Sequence, residues 1–138
     1  MDSTPPALST QNAVLFDRFE RSKLEEAQPH RTVAFTLDHT IRRFNATLHT
    51  TRFGEIGTRG PSNPALDQKY KARWITDANV SVPVIPHFGI TLGVNNIADV
   101  YPSENIAANN NFGILPYTGF SPFGFNGRFM YVRGRWDR

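Results

Sequence analysis

The chain contains no cysteine, so disulfide staples and cysteine-held metals are excluded, and an oxidising compartment suits it. It also lacks any apolar run of about 20 residues, the length a membrane-spanning helix requires. A barrel strand crosses with only about 9–11 residues, so a mean hydropathy of -0.41 leaves a transmembrane barrel open. The 15 basic residues outnumber the 12 acidic ones but are dispersed. No clustered basic surface of the kind that binds nucleic acid is apparent, and no nucleic-acid partner is expected. The opening Met1-Asp2-Ser3-Thr4-Pro5-Pro6 has neither a basic region nor an apolar stretch, and it does not read as a signal peptide.

Signals for chemistry are equally scarce. His30, His39, His49 and His87 lack the spacing of metal ligands. No phosphate-binding loop, dinucleotide fingerprint or nucleophile elbow occurs. Asp67 and Asp77 have no partner at catalytic spacing, and the sequon at Asn45-Ala46-Thr47 lies inside a strand-like run. The chain is therefore expected to be no enzyme, to hold no metal and to need no cofactor.

What the chain has is two-residue periodicity. A strand is expected over Lys69–Val84, and within Lys71–Val84 the even positions are Ala72, Trp74, Thr76, Ala78, Val80 and Val82, while the charges Lys71, Arg73 and Asp77 fall on odd ones. Phe88, Ile90, Leu92 and Val94 oppose Gly89, Thr91, Gly93 and Asn95. Strand side chains alternate between faces, so one face meets an apolar medium and the other a polar one. Arg31–His39 places Val33, Phe35 and Leu37 against Thr32, Ala34, Thr36 and Asp38. A connection at Thr40–Arg43 leads to Phe44–Phe53, where Phe44, Ala46 and Leu48 oppose Asn45, Thr47 and His49. The last run, Gly127–Trp136, sets Met130, Val132, Gly134 and Trp136 against Phe129, Tyr131, Arg133 and Arg135.

Connections alternate in length. Gly54–Gln68 and Ala98–Phe125 are long and rich in glycine, proline or asparagine, whereas Thr40–Arg43 and the turn after Pro86 are short. The expected fold is all-β, an antiparallel up-and-down meander of about five strands. Short turns on one side and long loops on the other are how a large transmembrane barrel reads, with the long loops extracellular. A soluble antiparallel sheet with one face on a core gives the same alternation. A small soluble β-sheet binding domain without a transport role is accordingly the alternative.

Two segments resemble a known family. Gly89-Ile90-Thr91-Leu92-Gly93-Val94-Asn95-Asn96-Ile97-Ala98-Asp99-Val100-Tyr101-Pro102 is similar to the penultimate strand of TonB-dependent outer-membrane receptors, usually LTLGVNNLFDxYP. Ser121-Pro122-Phe123-Gly124-Phe125-Asn126-Gly127-Arg128-Phe129-Met130-Tyr131-Val132 is similar to their closing strand, SPFGFNGRFYYAR. Leu15-Phe16-Asp17-Arg18-Phe19-Glu20, with Leu24-Glu25 and Gln28-Pro29, resembles a late extracellular loop. Asp67-Gln68 and Trp74-Ile75-Thr76-Asp77 fit the strand before a periplasmic turn. One departure is the terminus: Trp136 is the last aromatic, and Asp137 and Arg138 follow it.

The resemblance implies residues 31–138 as C-terminal strands and loops of a receptor barrel of about 22 strands with a plugged lumen. It implies residues 1–30 as an extracellular loop remnant or disordered lead, with a short helical turn around Arg18–Ala27. It implies the outer membrane of a Gram-negative bacterium and active import of a scarce nutrient, a ferric siderophore being the commonest cargo. Outer-membrane lipid, the remaining barrel and plug, the TonB system and a small chelate or nutrient are the implied partners. Structural roles fall on Asn95, Asn96, Asp99, Tyr101, Ser121, Pro122, Phe123, Gly124, Asn126, Gly127, Arg128 and Phe129. Tyr101 and Tyr117, with the phenylalanines at 112, 120, 123 and 125, are expected at an outer aromatic girdle. Tyr131, Arg133 and Arg135 are expected to face the lumen, where Arg133 and Arg135 bridge to acids of a plug or neighbouring strand, the alternative being attraction of anionic ferric chelates. No ligand-binding residue is singled out.

Overall fold

The structure, a computed structural model, describes residues 17–110, 114 and 116–137. The resemblance at Leu15-Phe16 and the girdle position at 112 fall outside them. Among the described residues a helix, α1 (Arg18–Glu25), precedes seven strands. These are β1 (Thr32–Ile41), β2 (Phe44–Phe53), β3 (Ile56–Thr58), β4 (Gln68–Tyr70), β5 (Arg73–Ile85), β6 (Phe88–Asn95) and β7 (Phe129–Trp136). Five form one antiparallel meander in the order β1-β2-β5-β6-β7, and β3 pairs with β4 in a separate two-stranded sheet.

The main sheet is the expected five-stranded meander, with differences at several strand ends. Pairing between β1 and β2 runs to Ile41↔Phe44, so the connection is only Arg42-Arg43 and not Thr40–Arg43. Arg42 adopts a left-handed φ of 56° there, a conformation usually signalled by glycine or asparagine. The run read as one strand from Lys69 is divided: Tyr70 turns inward on β4, and β5 begins only at Arg73. Tyr70 is 4% exposed and its hydroxyl donates to Asn105 Oδ1 at 2.9 Å, while Ser103 Oγ accepts from the Lys71 N–H. Those contacts hold the chain away from the main sheet until Arg73.

At the opposite end, Pro86-His87 joins β5 to β6, with His87 at φ 66°. Pairing slips by one residue between Pro83 and Ile85, because proline offers no N–H to the ladder and a bulge absorbs the mismatch. Both two-residue turns therefore lie at one end of the sheet. The segment before β1 and the β2–β5 and β6–β7 loops lie at the other.

That long-loop end carries what little core there is. Ala27, Ile56, Tyr70 and Ile75 are the buried apolar residues among those described. Asp17 caps α1 by accepting from the Glu20 N–H at 2.7 Å, as an N-cap carboxylate should. The helix is then sewn to β3 through Gly57 N–H to Glu26 O at 2.8 Å, Arg59 N–H to Ser22 Oγ at 3.2 Å and an Arg59–Glu26 ion pair. The Arg59 guanidinium holds its proton above its ordinary range, chiefly through the hydrogen bond to Glu26 and then through its charge. Gln68 ties the hairpin to the last loop by donating to Glu104 O at 2.7 Å and accepting from the Ile106 N–H at 3.0 Å.

Candidate functional site

Residues directly opposite in an antiparallel pair project to the same face, so the register assigns every side chain of the sheet to a side. One side assembles Leu37↔Leu48↔Ala78↔Val94↔Met130 and, next to it, His39↔Ala46↔Val80↔Leu92↔Val132. Among the described residues nothing covers this face: Phe35 is 61% exposed, Leu92 58% and Val132 72%. Aromatic side chains stand at both of its ends. Phe35 and Trp74 lie toward the long loops, and Phe44, Phe88 and Trp136 toward the short turns, with Phe88 and Trp136 in ring contact at 6.1 Å.

From Trp74 to Ile85 strand β5 rises about 36 Å at about 3.3 Å per residue. Tilted by about 40°, as the strands of a barrel are, a strand of that length would span about 28 Å, close to the height of a bilayer's hydrocarbon layer. The apolar face has three polar breaks. Arg52 lies at its rim beside Trp74; Thr50 and Thr76 satisfy each other at 2.9 Å; His39 sits mid-face on the edge strand.

The other face is a network of short polar side chains. Thr47 donates to Asp38 at 2.6 Å, Asn45 to Thr40 at 3.1 Å, and Ser81 and Thr91 bond at 2.8 Å. His49 engages hydroxyls on both ring nitrogens, Thr36 at 2.8 Å and Thr51 at 3.0 Å, and faces Asp77 across the pair. Tyr131, Arg133 and Arg135 lie on this face, by their pairing with Gly93, Thr91 and Gly89. The Tyr131 ring lies flat across Gly93, since a Cβ there would come within 2.2 Å of its Cζ. Arg133 rests against that ring at 5.6 Å. The bridging expected of Arg135 is local: it donates to Asp137, two residues along its own chain, at 2.9 and 3.1 Å.

The motif residues build the corner where β6 gives way to the last loop. Asn96, 7% exposed, accepts from the Val100 N–H at 2.9 Å and donates to Val100 O at 2.8 Å. Its own N–H donates to Asp77 Oδ1 at 2.7 Å. Asn96 and Asp99 adopt φ of 52° and 55°, which these side chains tolerate better than most. Asp99 accepts from the Arg128 N–H at 2.8 Å. Gly127, at φ 69°, leaves the space that Tyr101 Oη and Asp99 occupy, as a Cβ would meet them at 2.3 and 2.7 Å. Tyr101 stacks on Tyr117 at 5.8 Å, and the negative charge of Asp99 raises its phenol above the ordinary value.

Asn95, Phe123, Asn126 and Phe129 join His49, Phe53, Asp77 and Arg128 around a cavity of about 540 Å³ on the polar face, beneath the last loop. Ser121, Pro122 and Gly124 form the turn that delivers Phe123, with Ser121 Oγ donating to Gly124 O at 2.8 Å. Phe123, expected at the outer girdle, packs on Phe53 at 5.6 Å on the polar side, and Phe120 packs on Phe19 at 6.5 Å. Sequence reading did not single out Phe53, Asp77 and His49 as neighbours of the motif. Alternation assigns His49 to the polar face, but only the register brings it opposite Asp77.

Among the described residues no group of three or more His, Cys, Asp or Glu is placed to hold a metal ion, and no helix is long and apolar enough to cross a membrane. No protein-family model, curated protein or solved structure matches the chain.

Proposed function

We propose that this chain forms part of the barrel wall of a TonB-dependent outer-membrane receptor that imports a scarce nutrient, with a ferric siderophore as cargo. The observation that carries the reading is the uncovered apolar band, about 28 Å tall and bounded by Trp74 and Trp136, backed by a hydrogen-bonded polar face. An apolar sheet face of that extent in water is an aggregation hazard, whereas in lipid it is the ordinary outer surface of a barrel. Strands β1 and β7 each present an open edge, which further strands of a barrel would pair. The family-specific part of the reading rests on the motifs at Gly89–Pro102 and Ser121–Val132. Their residues form the ordered corner around Asn96, Asp99 and Gly127. In this role the loops and the cavity beneath them meet the cargo first, and the polar face lines its path.

Because the chain has no cysteine, single cysteines report cleanly on the two faces. In membranes of cells producing the full-length protein, cysteines at Val80 and Val82 should react only with lipid-soluble reagents. Those at Asn79 and Ser81 should react with aqueous ones. Loss of growth on ferric siderophores after deletion of the gene tests the cargo. Uniform aqueous labelling in a protein that fractionates away from membranes would instead establish the small soluble binding domain.

A further inference from the structure

We infer that Asn126-Gly127 is a self-modification site, where the chain converts its own asparagine into aspartyl and isoaspartyl forms with loss of ammonia. The site stands whether or not the sheet belongs to a barrel. In this reaction the main-chain nitrogen of the following residue is the nucleophile, and a Cβ on that residue crowds its approach. Asn126 is followed by glycine, whereas every other asparagine of the chain is followed by a residue with a Cβ. Asn45 and Asn79 also lie inside paired strands, and Asn63 precedes Pro64, whose nitrogen has no proton to lose. Asn96 precedes the branched Ile97, and its carboxamide is held by both the N–H and the carbonyl of Val100. Asn126 has no such restraint. Among the described residues neither its carboxamide nor the Gly127 N–H has a hydrogen-bond partner. Asn126 is exposed and lines the cavity of about 540 Å³, so water reaches it.

Water is the sole co-reactant. The Gly127 nitrogen gives its proton to solvent and bonds to Asn126 Cγ; the Cγ–Nδ2 bond breaks, ammonia leaves and a cyclic imide closes. Water then opens the ring. Addition at Cγ leaves an aspartyl residue, while addition at the main-chain carbonyl leaves isoaspartyl, whose main chain runs through the former side chain and is longer by a methylene. The place of the site gives this change a consequence. Tyr101 Oη and Asp99 Oδ1 fill the space that a Cβ on Gly127 would take, and the Arg128 N–H donates to Asp99 at 2.8 Å. A new carboxylate adds negative charge beside Asp99, and a longer main chain pushes Gly127 against both side chains. Strand β7 begins two residues on, with Phe129 paired to Asn95, so the displacement passes into its first pair. Conversion therefore loosens the corner where β6, the last loop and β7 meet.

The test incubates the full chain, folded in detergent micelles, in mildly alkaline buffer made with heavy-oxygen water. Fragment-ion mass spectrometry then locates the oxygen taken up. Label is expected at position 126, in both aspartyl and isoaspartyl forms, roughly tenfold or more faster than at Asn96, whose two hydrogen bonds must open first. Asn126→Gln, with circular dichroism identical to the parent chain, should abolish it, because the longer side chain closes a larger ring slowly. The converted fraction, separated by ion exchange, should unfold at a lower urea concentration than the unconverted one. Absence of label at position 126 in the folded chain, while the same chain in guanidinium chloride acquires it, would overturn the inference, since the fold would then protect the site. Equal labelling at Asn96 and Asn126 would overturn it too, as the reaction would then follow unfolding and not this site. An unchanged unfolding midpoint would sink the effect on the corner.

Discussion

Val80 lies between Ala46 and Leu92 at the centre of the apolar face, six residues from Trp74 and five from Ile85. If that face meets lipid, Val80→Arg places a guanidinium near the midplane. The nearest interface is then about 14 Å away, half of the 28 Å band and about twice what an arginine side chain can reach. The charge cannot escape by snorkelling, and the expected cost is about 2–4 kcal/mol. At about 1.4 kcal/mol per tenfold, the folded population falls by roughly 30- to 700-fold relative to unfolded. Asn79, one residue earlier, pairs with Thr47 and Gly93 on the polar face, so Asn79→Arg should change stability by no more than about 0.5 kcal/mol. Urea unfolding of the full-length protein carrying this chain, folded into lipid vesicles and followed by tryptophan emission, measures both. Trp74 and Trp136 sit at the two ends of the band and report its exposure. Equal shifts for the two variants would refute the lipid-facing assignment and the transporter reading with it.

Four further outcomes follow from the same geometry. Gly93→Ala forces its methyl into the Tyr131 ring and should cost about 1–3 kcal/mol, a loss that largely disappears in a Tyr131→Ala background; an identical cost in both backgrounds would contradict the stacked geometry. His39→Leu removes an imidazole that among the described residues has no hydrogen-bond partner in the middle of the apolar face, and it should stabilise the folded state in vesicles by about 1–3 kcal/mol. Asn96→Ala deletes both hydrogen bonds to Val100 and leaves alanine at φ 52°, which together should cost about 2–4 kcal/mol in the same unfolding assay. Tyr101 has its phenol pKa raised in the fold by the charge of Asp99, so the stabilisation is complete below the unfolded value of about 10 and is lost as pH rises through the higher folded value. Phenolate absorbance should therefore lose a component that titrates above about 10 in Tyr101→Phe.

The sequence by itself determined the five strands, their faces and the alternation of short and long connections, because side-chain period is a local property that survives any packing. Val80 and Arg133 fall on the sides that parity assigns them, and glycine, proline and asparagine mark the long loops wherever they fold. The tertiary structure decided everything that depends on distant segments meeting. No local rule takes Tyr70 out of the β5 run; the buried hydroxyl bonded to Asn105 does, across 35 residues of chain. The Arg42-Arg43 turn was hidden because arginine at positive φ carries no compositional signal, and only pairing through Ile41↔Phe44 requires it. The same pairing sets His39 on the apolar face, where alternation stopped short of it. His49 opposite Asp77 follows from register and Phe123 on Phe53 from loop closure, and a one-residue slip would place His49 and Asp77 on opposite faces.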